Sequence, residues 1–274
     1  MEKQIKHISI KHFEQNRSGF STVNHFNNEI PIEPFLAFTE YHMNRPIFGP
    51  HPHAGVSVIT YIHPDSKGGF INRDSLGDHS IIDAGGVHVT QAGSGIQHDE
   101  VPETTGVDSH GFQIWVNHSD KNRLVAPKAL HANSNQVPEV VTEGKKVRVI
   151  HGNYGNKRSI LQMVTPVTLL DVYLEPYQEI ELEGEEMTFV YVVSGSGEVA
   201  EETISSQHLV LFDEEGDTIK IKTAQDPINF TLASGKPHKE PIVYGGPYVM
   251  TSQEQLEAAK RRFGRGEMGE LAIL

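Results

Sequence analysis

Short runs in which apolar and polar residues alternate make up most of this chain, and clusters of glycine, proline and asparagine separate them. The segment 111–117 (GFQIWVN) alternates with period two, which is typical of a strand with one buried face. The segment 56–62 (VSVITYI) is apolar on both faces, so it predicts a strand that is buried on both sides. The pattern as a whole predicts an all-β fold.

One segment near the C-terminus has helical character instead. Residues 251–262 (TSQEQLEAAKRR) are rich in strong helix formers, and Thr251 and Glu254 have the spacing of a capping box. The basic residues at the end of this segment favour a helix C-terminus, because they complement the helix dipole there. We therefore expect a short C-terminal helix.

The second half of the chain contains a fainter copy of the first. Residues 188–199 (TFVYVVSGSGEV) repeat the apolar pattern of residues 58–62 and the glycine turn that follows it. A polar stretch, residues 122–135, lies between the two copies with Pro127 inside it and Pro138 just after it, and is typical of a crossover between domains. We therefore predict two tandem β domains, residues 1–134 and residues 135–274.

Composition and charge exclude several classes of function. The formal net charge of −13 repels phosphate backbones and anionic lipids, so we expect neither direct nucleic-acid binding nor membrane binding. Because the chain has no cysteine, any metal must be held by nitrogen and oxygen donors. The N-terminal segment lacks an apolar core, and no run reaches the ~20 apolar residues that span a bilayer. We expect a cytoplasmic protein, with the nucleus as a further location in a eukaryote.

Two pairs of donor residues stand out from this background. His51 and His53 are two positions apart just before the apolar strand, so they should point from one face, and we expect them to share that face with Ser57, Ile59 and Tyr61. Because neutral imidazole is the commonest protein metal ligand, this pair is either a satisfied core pair or half of a metal site.

The second pair, His98 and Glu100, follows a glycine-rich turn with the same spacing. Two such pairs on two strands of one barrel would converge on three imidazoles and one carboxylate, a donor set suited to Fe(II), Mn, Ni or Cu. His88 lies between the pairs, and because it alternates with valines we expect it to face away from the site. Trp115, on one face of the predicted strand at 111–117, is a candidate for the core.

The equivalent positions of the second domain hold different residues. Counting back from Tyr191 as from Tyr61 places Glu181 and Glu183 where the first histidine pair stands. Residues 220–223 offer no His-x-Glu counterpart, so we expect a solvated acidic strand and no metal in the second domain.

Several of these segments together resemble the pirin family of bicupins. The resemblance rests on residues 49–53 (GPHPH), 73–77 (RDSLG), 84–86 (AGG), 92–100 (AGSGIQHDE) and 240–250 (EPIVYGGPYVM). It implies two tandem cupin-type β-barrels with one metal in the first, held by His51, His53, His98 and Glu100. It also implies that the strand at 111–117 lines the first barrel, which makes Trp115 a candidate for the wall of a pocket as well as for the core. Many pirins carry a glutamate where this chain has Ser57, so the surroundings of the metal differ here.

The resemblance implies two classes of function. Some pirins cleave quercetin with O2, so the chain is expected to be a quercetin 2,3-dioxygenase-type enzyme that binds a flavonol and O2 at one divalent transition metal. Fe(II) is the ion we expect first, with Ni, Mn, Cu or Zn as alternatives, and Glu100 could act as the base that takes the substrate's hydroxyl proton. Other pirins are metal- or redox-responsive transcriptional co-regulators that bind a protein partner. A third alternative is a cupin without catalytic metal that isomerises or binds a small molecule.

Overall fold

The structure, a computed structural model, describes residues 1–273, which form β-strands, one α-helix and two short 3-10 turns at Asp120–Asn122 and Ser134–Gln136. The strands of the first half are β1 (Ile5–Ile10), β2 (Glu14–Arg17), β3 (Phe20–Phe26), β4 (Phe35–Met43), β5 (His51–His53), β6 (Val56–Ile62), β7 (Phe70–Asp74), β8 (His79–Ile82), β9 (Val87–Gln91), β10 (Ile96–Pro102), β11 (Ser109–Asn117) and β12 (Lys128–Ala132).

The second half continues in the same manner and ends in the helix. Its elements are β13 (Glu139–Thr142), β14 (Lys145–His151), β15 (Asn153–Tyr154), β16 (Lys157–Arg158), β17 (Val167–Leu174), β18 (Glu179–Glu183), β19 (Met187–Val199), β20 (Glu202–Ser205), β21 (His208–Phe212), β22 (Thr218–Lys222), β23 (Ile228–Gly235), β24 (Val243–Gly245), β25 (Tyr248–Met250) and α1 (Gln253–Gly264). The prediction of an all-β fold with a short C-terminal helix is confirmed.

Antiparallel sheets build both halves. In the first half, a seven-stranded sheet has the order β12-β9-β6-β11-β4-β3-β2, and a four-stranded sheet has the order β5-β10-β7-β8. In the second half, a ten-stranded sheet follows the path β1-β21-β19-β23-β17-β14-β13, with β18, β20 and β22 joined to it through β19. The predicted strands at 56–62 and 111–117 correspond to β6 and β11.

The apolar faces of the two large sheets pack against each other. Phe38 of the first half lies edge-on to Phe189 of the second, with ring centroids 5.3 Å apart. Both rings belong to one buried cluster that draws on β4, β6, β9 and β11 from one side and on β17, β19, β21 and β23 from the other. The largest apolar cluster of the described chain is therefore shared between the halves.

Two reciprocal hydrogen bonds cross this shared core. The hydroxyl of Tyr61 donates to Oδ2 of Asp171 at 2.6 Å, and the hydroxyl of Tyr191 donates to Oε2 of Glu40 at 2.6 Å. Tyr61 and Tyr191 are the residues that align the two sequence copies, so the internal repeat is visible as a pair of matching contacts.

Each end of the chain packs on the opposite half. Strand β1 pairs with β21 of the second half. Near the other end, Tyr248 forms a β-bridge with Ala54, and Leu256 and Met268 join them in a buried cluster. The predicted boundary between residues 134 and 135 stays a prediction, and this exchange means that neither segment contains all of its own packing partners.

The helix begins one residue later than the capping-box pattern indicated. Ser252 is the N-cap, and its side chain accepts a hydrogen bond from the backbone N–H of Gln255. Thr251 instead donates its hydroxyl proton to Asp120 and its backbone N–H to the side chain of Gln255. Across residues 1–273, no helix is both long and apolar enough to cross a lipid bilayer.

Candidate metal centre

Three histidines converge at the seam between β5 and β10. His51 lies directly opposite His98 in this antiparallel pair, and His53 lies two residues further along β5. The ring centroids are 4.7 Å apart for His51 and His98, and 5.0 Å apart for each of the other two pairs. One nitrogen from each ring lies within 4.8 Å of those of the other two, a spacing at which one metal ion can bind all three.

The Nδ1 atoms of these rings point away from the point of convergence. Nδ1 of His51 donates to the carbonyl of Gly49 at 2.9 Å, and Nδ1 of His53 donates to the carbonyl of Pro247 at 3.3 Å. Nδ1 of His98 is hydrogen-bonded to the hydroxyl of Thr90 at 3.2 Å. Such partners fix the tautomer of a metal-binding histidine and leave Nε2 with its lone pair free.

The Nε2 atom of His98 is in the state expected of a metal ligand. It is buried and has no hydrogen-bond partner within residues 1–273. A buried polar nitrogen without a partner costs free energy, and a metal ion bound by the three rings would satisfy it. The donor set therefore fits a divalent transition metal.

Burial keeps the rings in the state that a metal needs. It lowers the pKa of His53 to about 3, with repulsion from His51 adding to the effect. Burial also lowers the pKa of His98 well below the ordinary imidazole value, and both neighbouring histidines reinforce the shift. Because protons compete with metals for the same lone pair, neutral imidazoles are ready ligands at neutral pH.

Glu100 lies near the histidines but outside their group. Of the described residues 1–273, the group that meets the 4.8 Å spacing holds the three histidines without Glu100. One carboxylate oxygen accepts from the hydroxyl of Thr60 at 2.5 Å, and the other accepts from Nε2 of Gln113 at 2.7 Å. Burial raises the pKa of Glu100, while these two hydrogen bonds oppose that rise. Its predicted role as fourth ligand stays a prediction.

The predicted face of the histidine strand is wrong, and Gly55 is the reason. This glycine has a φ of +80°, so the strand breaks between β5 and β6 and the alternation does not carry across. Tyr61 points into the shared core, whereas Thr60 points towards Glu100. Ser57 accepts from, or donates to, Nε2 of the buried His118 at 2.8 Å.

The expectation that His88 faces away from the site is also wrong. Val87 and Val89 point into the shared core, so His88 lies on the opposite face together with Thr90, which contacts His98. His88 is fully buried, and burial lowers its pKa to about 4. The alternation correctly predicted that His88 and the two valines lie on opposite faces of the strand. The site lies inside the barrel, on the face of His88, and not on the side of the shared core.

Five partner groups of this site were not predicted: Thr60, Thr90, Gln113 and the carbonyls of Gly49 and Pro247. The sequence contained a signal for Gln113, because it alternates with Trp115 on one face of the predicted strand. It contained none for Pro247, which reaches His53 from almost two hundred residues further along the chain. In the second half, Glu181 and Glu183 lie exposed on β18, and Glu181 faces Lys220 at 3.9 Å.

A cavity of about 570 Å³ opens beside the histidines. Trp115 lines it and stands perpendicular to His53, with ring centroids 4.9 Å apart. Phe48 lines it too, 6.5 Å from His51, and Gln113 connects it to Glu100. Its lining also includes Phe20, Phe26, Leu36, Tyr244, Asn16, Thr22, Asn24, Asn28 and Thr39. Trp115 is thus a wall residue of this cavity.

Comparison with known proteins agrees with this architecture. A pirin-like protein of Solanum lycopersicum is 31% identical over 87% of this chain and 82% of its own length. A quercetin 2,3-dioxygenase from Acinetobacter baumannii, 24% identical, superposes with a TM-score of 0.89 over 99% of this chain and 100% of its own. A bacterial pirin from Escherichia coli in complex with nickel(II), 18% identical, gives a TM-score of 0.68 over 84% of this chain and 100% of its own.

At these identities the two solved structures show a likeness of fold alone, and the family models identify that fold as two tandem cupin barrels. Residues 2–116 match the family model described as Pirin, and residues 169–269 match the one described as the Pirin C-terminal cupin domain. The three histidines lie inside the first matched segment. With the curated relative matched over most of both lengths, the chain belongs to the pirin family.

Proposed function

We propose that this chain is a metal-dependent dioxygenase of the quercetin 2,3-dioxygenase type that cleaves a flavonol with O2. The observation that carries the proposal is the cavity beside the histidines, because its walls suit a flat, uncharged aromatic molecule. Among the described residues that line it, aromatic and neutral polar side chains occur and no acidic or basic ones do. The name of the Acinetobacter baumannii structure supports the same substrate class.

In this proposal His51, His53 and His98 hold one divalent transition metal through their Nε2 atoms, and Glu100 completes the set. Fe(II) is the ion we propose, and the nickel complex of the Escherichia coli pirin supports nickel as an alternative, alongside Mn, Cu and Zn. When bound, the metal supplies Lewis acidity and open coordination positions for oxygen ligands.

Glu100 is the proposed general base. Its carboxylate lies at the junction of the histidines and the cavity, since Gln113 contacts both the carboxylate and the cavity. Burial raises the pKa of Glu100, which makes the carboxylate a stronger proton acceptor than an exposed glutamate. It would take the proton from the substrate hydroxyl, while Trp115 and Phe48 hold the aromatic rings and exclude water.

Oxygen consumption with quercetin tests this function. The metal-loaded protein should take up O2 when quercetin is added, and Glu100→Gln should keep much of the metal but lose about 10²–10⁴-fold in rate, the usual contribution of a general base. Glu183→Gln, at an exposed site on β18, is the matched control and should leave the rate unchanged.

Two results would contradict parts of this proposal. If no metal among Fe, Ni, Mn and Cu supports flavonol-dependent O2 uptake, the enzyme proposal fails and the co-regulator with a protein partner becomes the better account. If Glu100→Gln turns over at the wild-type rate, the assignment of the base is wrong while the reaction stands.

A further inference from the structure

A row of hydrogen-bonded neutral side chains crosses one wall of the cavity. We call it the polar ladder, and it consists of Asn16 on β2, Thr22 and Asn24 on β3, Thr39 on β4 and Gln113 on β11. All five line the cavity, and they come from four neighbouring strands of the seven-stranded sheet.

Hydrogen bonds join four members of the ladder, and the strand register brings the fourth beside Gln113, which contacts the candidate base. The hydroxyl of Thr22 donates to Oδ1 of Asn16 at 2.7 Å, and Nδ2 of Asn24 donates to the same Thr22 hydroxyl at 2.6 Å. The hydroxyl of Thr39 then donates to Oδ1 of Asn24 at 3.0 Å. Thr39 lies directly opposite Gln113 in the β4–β11 pair, and Gln113 donates to Glu100.

These contacts leave hydrogen-bonding capacity along the wall. Both threonine hydroxyl protons are engaged within the ladder, which leaves the lone pairs of Thr39 as acceptors. The Nε2 group of Gln113 is engaged with Glu100 and Thr60, so its Oε1 atom is a second acceptor. The amide of Asn24 has a second N–H beyond the one given to Thr22. One wall therefore offers an uncharged donor and two uncharged acceptors.

The rest of the lining has the opposite character. Leu36, Phe48, Trp115 and Tyr244 provide apolar and aromatic surface, which binds the faces of flat rings. A cavity with such surface and one wall of neutral hydrogen-bonding groups matches an aromatic molecule that carries several hydroxyl groups. A phenolic hydroxyl both donates and accepts, so it can pair with either kind of ladder group.

We propose that the polar ladder is the specificity determinant of the cavity and binds the ring hydroxyls of a polyhydroxylated aromatic ligand. This rests on the proposed function for the choice of flavonols as the ligand class. An unsubstituted flavonol would displace water from the ladder without replacing its hydrogen bonds, and a site built in this way discriminates against the analogue that lacks hydroxyls.

Binding of two flavonols tests the ladder separately from turnover. Quercetin carries four ring hydroxyls besides the one at position 3, and 3-hydroxyflavone carries none. Trp115 is the single tryptophan of the chain and lines the cavity, so quenching of its fluorescence reports binding directly. The full-length protein is titrated under anaerobic conditions, both metal-free and with one equivalent of Zn²⁺. In both states quercetin should bind at least about tenfold more tightly than 3-hydroxyflavone, because 3-hydroxyflavone lacks about one hydrogen bond to the ladder.

Two ladder variants should remove the preference for quercetin over 3-hydroxyflavone. Thr39→Val keeps the side-chain volume but removes the acceptor and the donor to Asn24, and Asn24→Leu removes the central amide. Each should weaken quercetin binding about tenfold and leave 3-hydroxyflavone binding unchanged. Thr168→Val, on β17 of the second half, is the matched control and should keep the preference.

Equal affinity of the two flavonols for the wild-type protein would overturn the proposal, and so would a preference that survives in both ladder variants. Absence of quenching by either flavonol would overturn it as well. If the ladder variants behave as expected but quercetin supports no O2 uptake with any metal, the proposed reaction fails and the ladder stands. If quercetin is oxidised but bound no better than 3-hydroxyflavone, the ladder fails and the reaction stands.

Discussion

Each histidine ring of the candidate metal centre is oriented by a neutral partner. Carbonyl oxygens hold His51 and His53, and a hydroxyl group contacts His98. Three neutral imidazoles and the single carboxylate of Glu100 would leave a divalent metal with a net charge of about +1. In the proposed reaction, such a positive site would stabilise the anion that forms when a flavonol loses its hydroxyl proton.

His25, a histidine outside the candidate metal centre, should make the stability of the fold sensitive to acid. It is fully buried beside Tyr191, and burial together with Lys11 lowers its pKa to about 4. In the unfolded chain the ring takes up a proton near pH 6.5, whereas in the folded protein it does so only near pH 4. This contribution to stability is therefore complete above pH 6.5 and is lost as the pH falls towards 4, with a magnitude of up to about 3 kcal/mol.

Urea unfolding at pH 7 and pH 4.5 measures this effect. His25→Phe should lose less of its free energy of unfolding between the two pH values than the wild-type protein, because the phenylalanine takes up no proton. The exposed His12, changed to Gln, is the control. Equal losses in His25→Phe and the wild-type protein would show that this ring does not carry the acid sensitivity.

Among the elements, the break between β5 and β6 decides where the site lies. Gly55 has a φ of +80°, and a Cβ atom there would lie 1.9 Å from the carbonyl oxygen of Val249. Gly55→Ala should therefore lower the free energy of unfolding by more than the roughly 1 kcal/mol that alanine costs at a positive φ. Because Val249 neighbours Pro247 and Tyr248 in the tail, the substitution should also weaken the support of His53.

Thermal denaturation of Gly55→Ala beside Gly106→Ala separates the two causes. Gly106 has a φ of +90° but has open space where its Cβ would be, so its substitution reports the backbone cost alone. A larger fall in Tm for Gly55→Ala is expected. Equal falls would mean that the close approach to Val249 does not constrain the protein.

The elements also show how far the sequence allowed prediction. The period-two pattern located β11, and the run that is apolar on both faces located β6, which is buried on both sides. It could not assign the face of His51 and His53, because one residue at positive φ reversed the alternation between them and β6. The spacing of the donors sufficed to bring the three histidines together, but the contacts of Glu100 with Thr60 and Gln113 depend on neighbours that only the folded sheet defines.

Over the whole molecule, the two halves are joined by a core that they share. The hydrogen bond from Tyr191 to Glu40 crosses that core, and Glu40 is buried with His110 as its other partner. Tyr191→Phe should therefore cost about 1–3 kcal/mol, because a buried carboxylate oxygen loses its donor. Urea unfolding followed by fluorescence and by circular dichroism should still give coincident transitions.

Tyr177→Phe is the control for this substitution, since Tyr177 is 75% exposed and its stability effect should be close to zero. A Tyr191→Phe protein as stable as the wild type would contradict the structural role of this contact.

The packing of each chain end on the opposite half of the molecule had no signal in the sequence. Strand β1 and the tail pair with residues that lie far away along the chain.

Whether the three histidines hold a metal is decided by the metal content of the purified protein and of one double variant, determined by mass spectrometry after loading and removal of free metal. We expect one equivalent of a transition metal in the wild-type protein and less than about a tenth of that in His51→Ala combined with His98→Ala, because two of the three converging ligands are gone. Glu181→Ala combined with Glu183→Ala should retain the full equivalent. Two tightly bound equivalents in the wild type, or one equivalent that survives the loss of His51 and His98, would contradict this expectation.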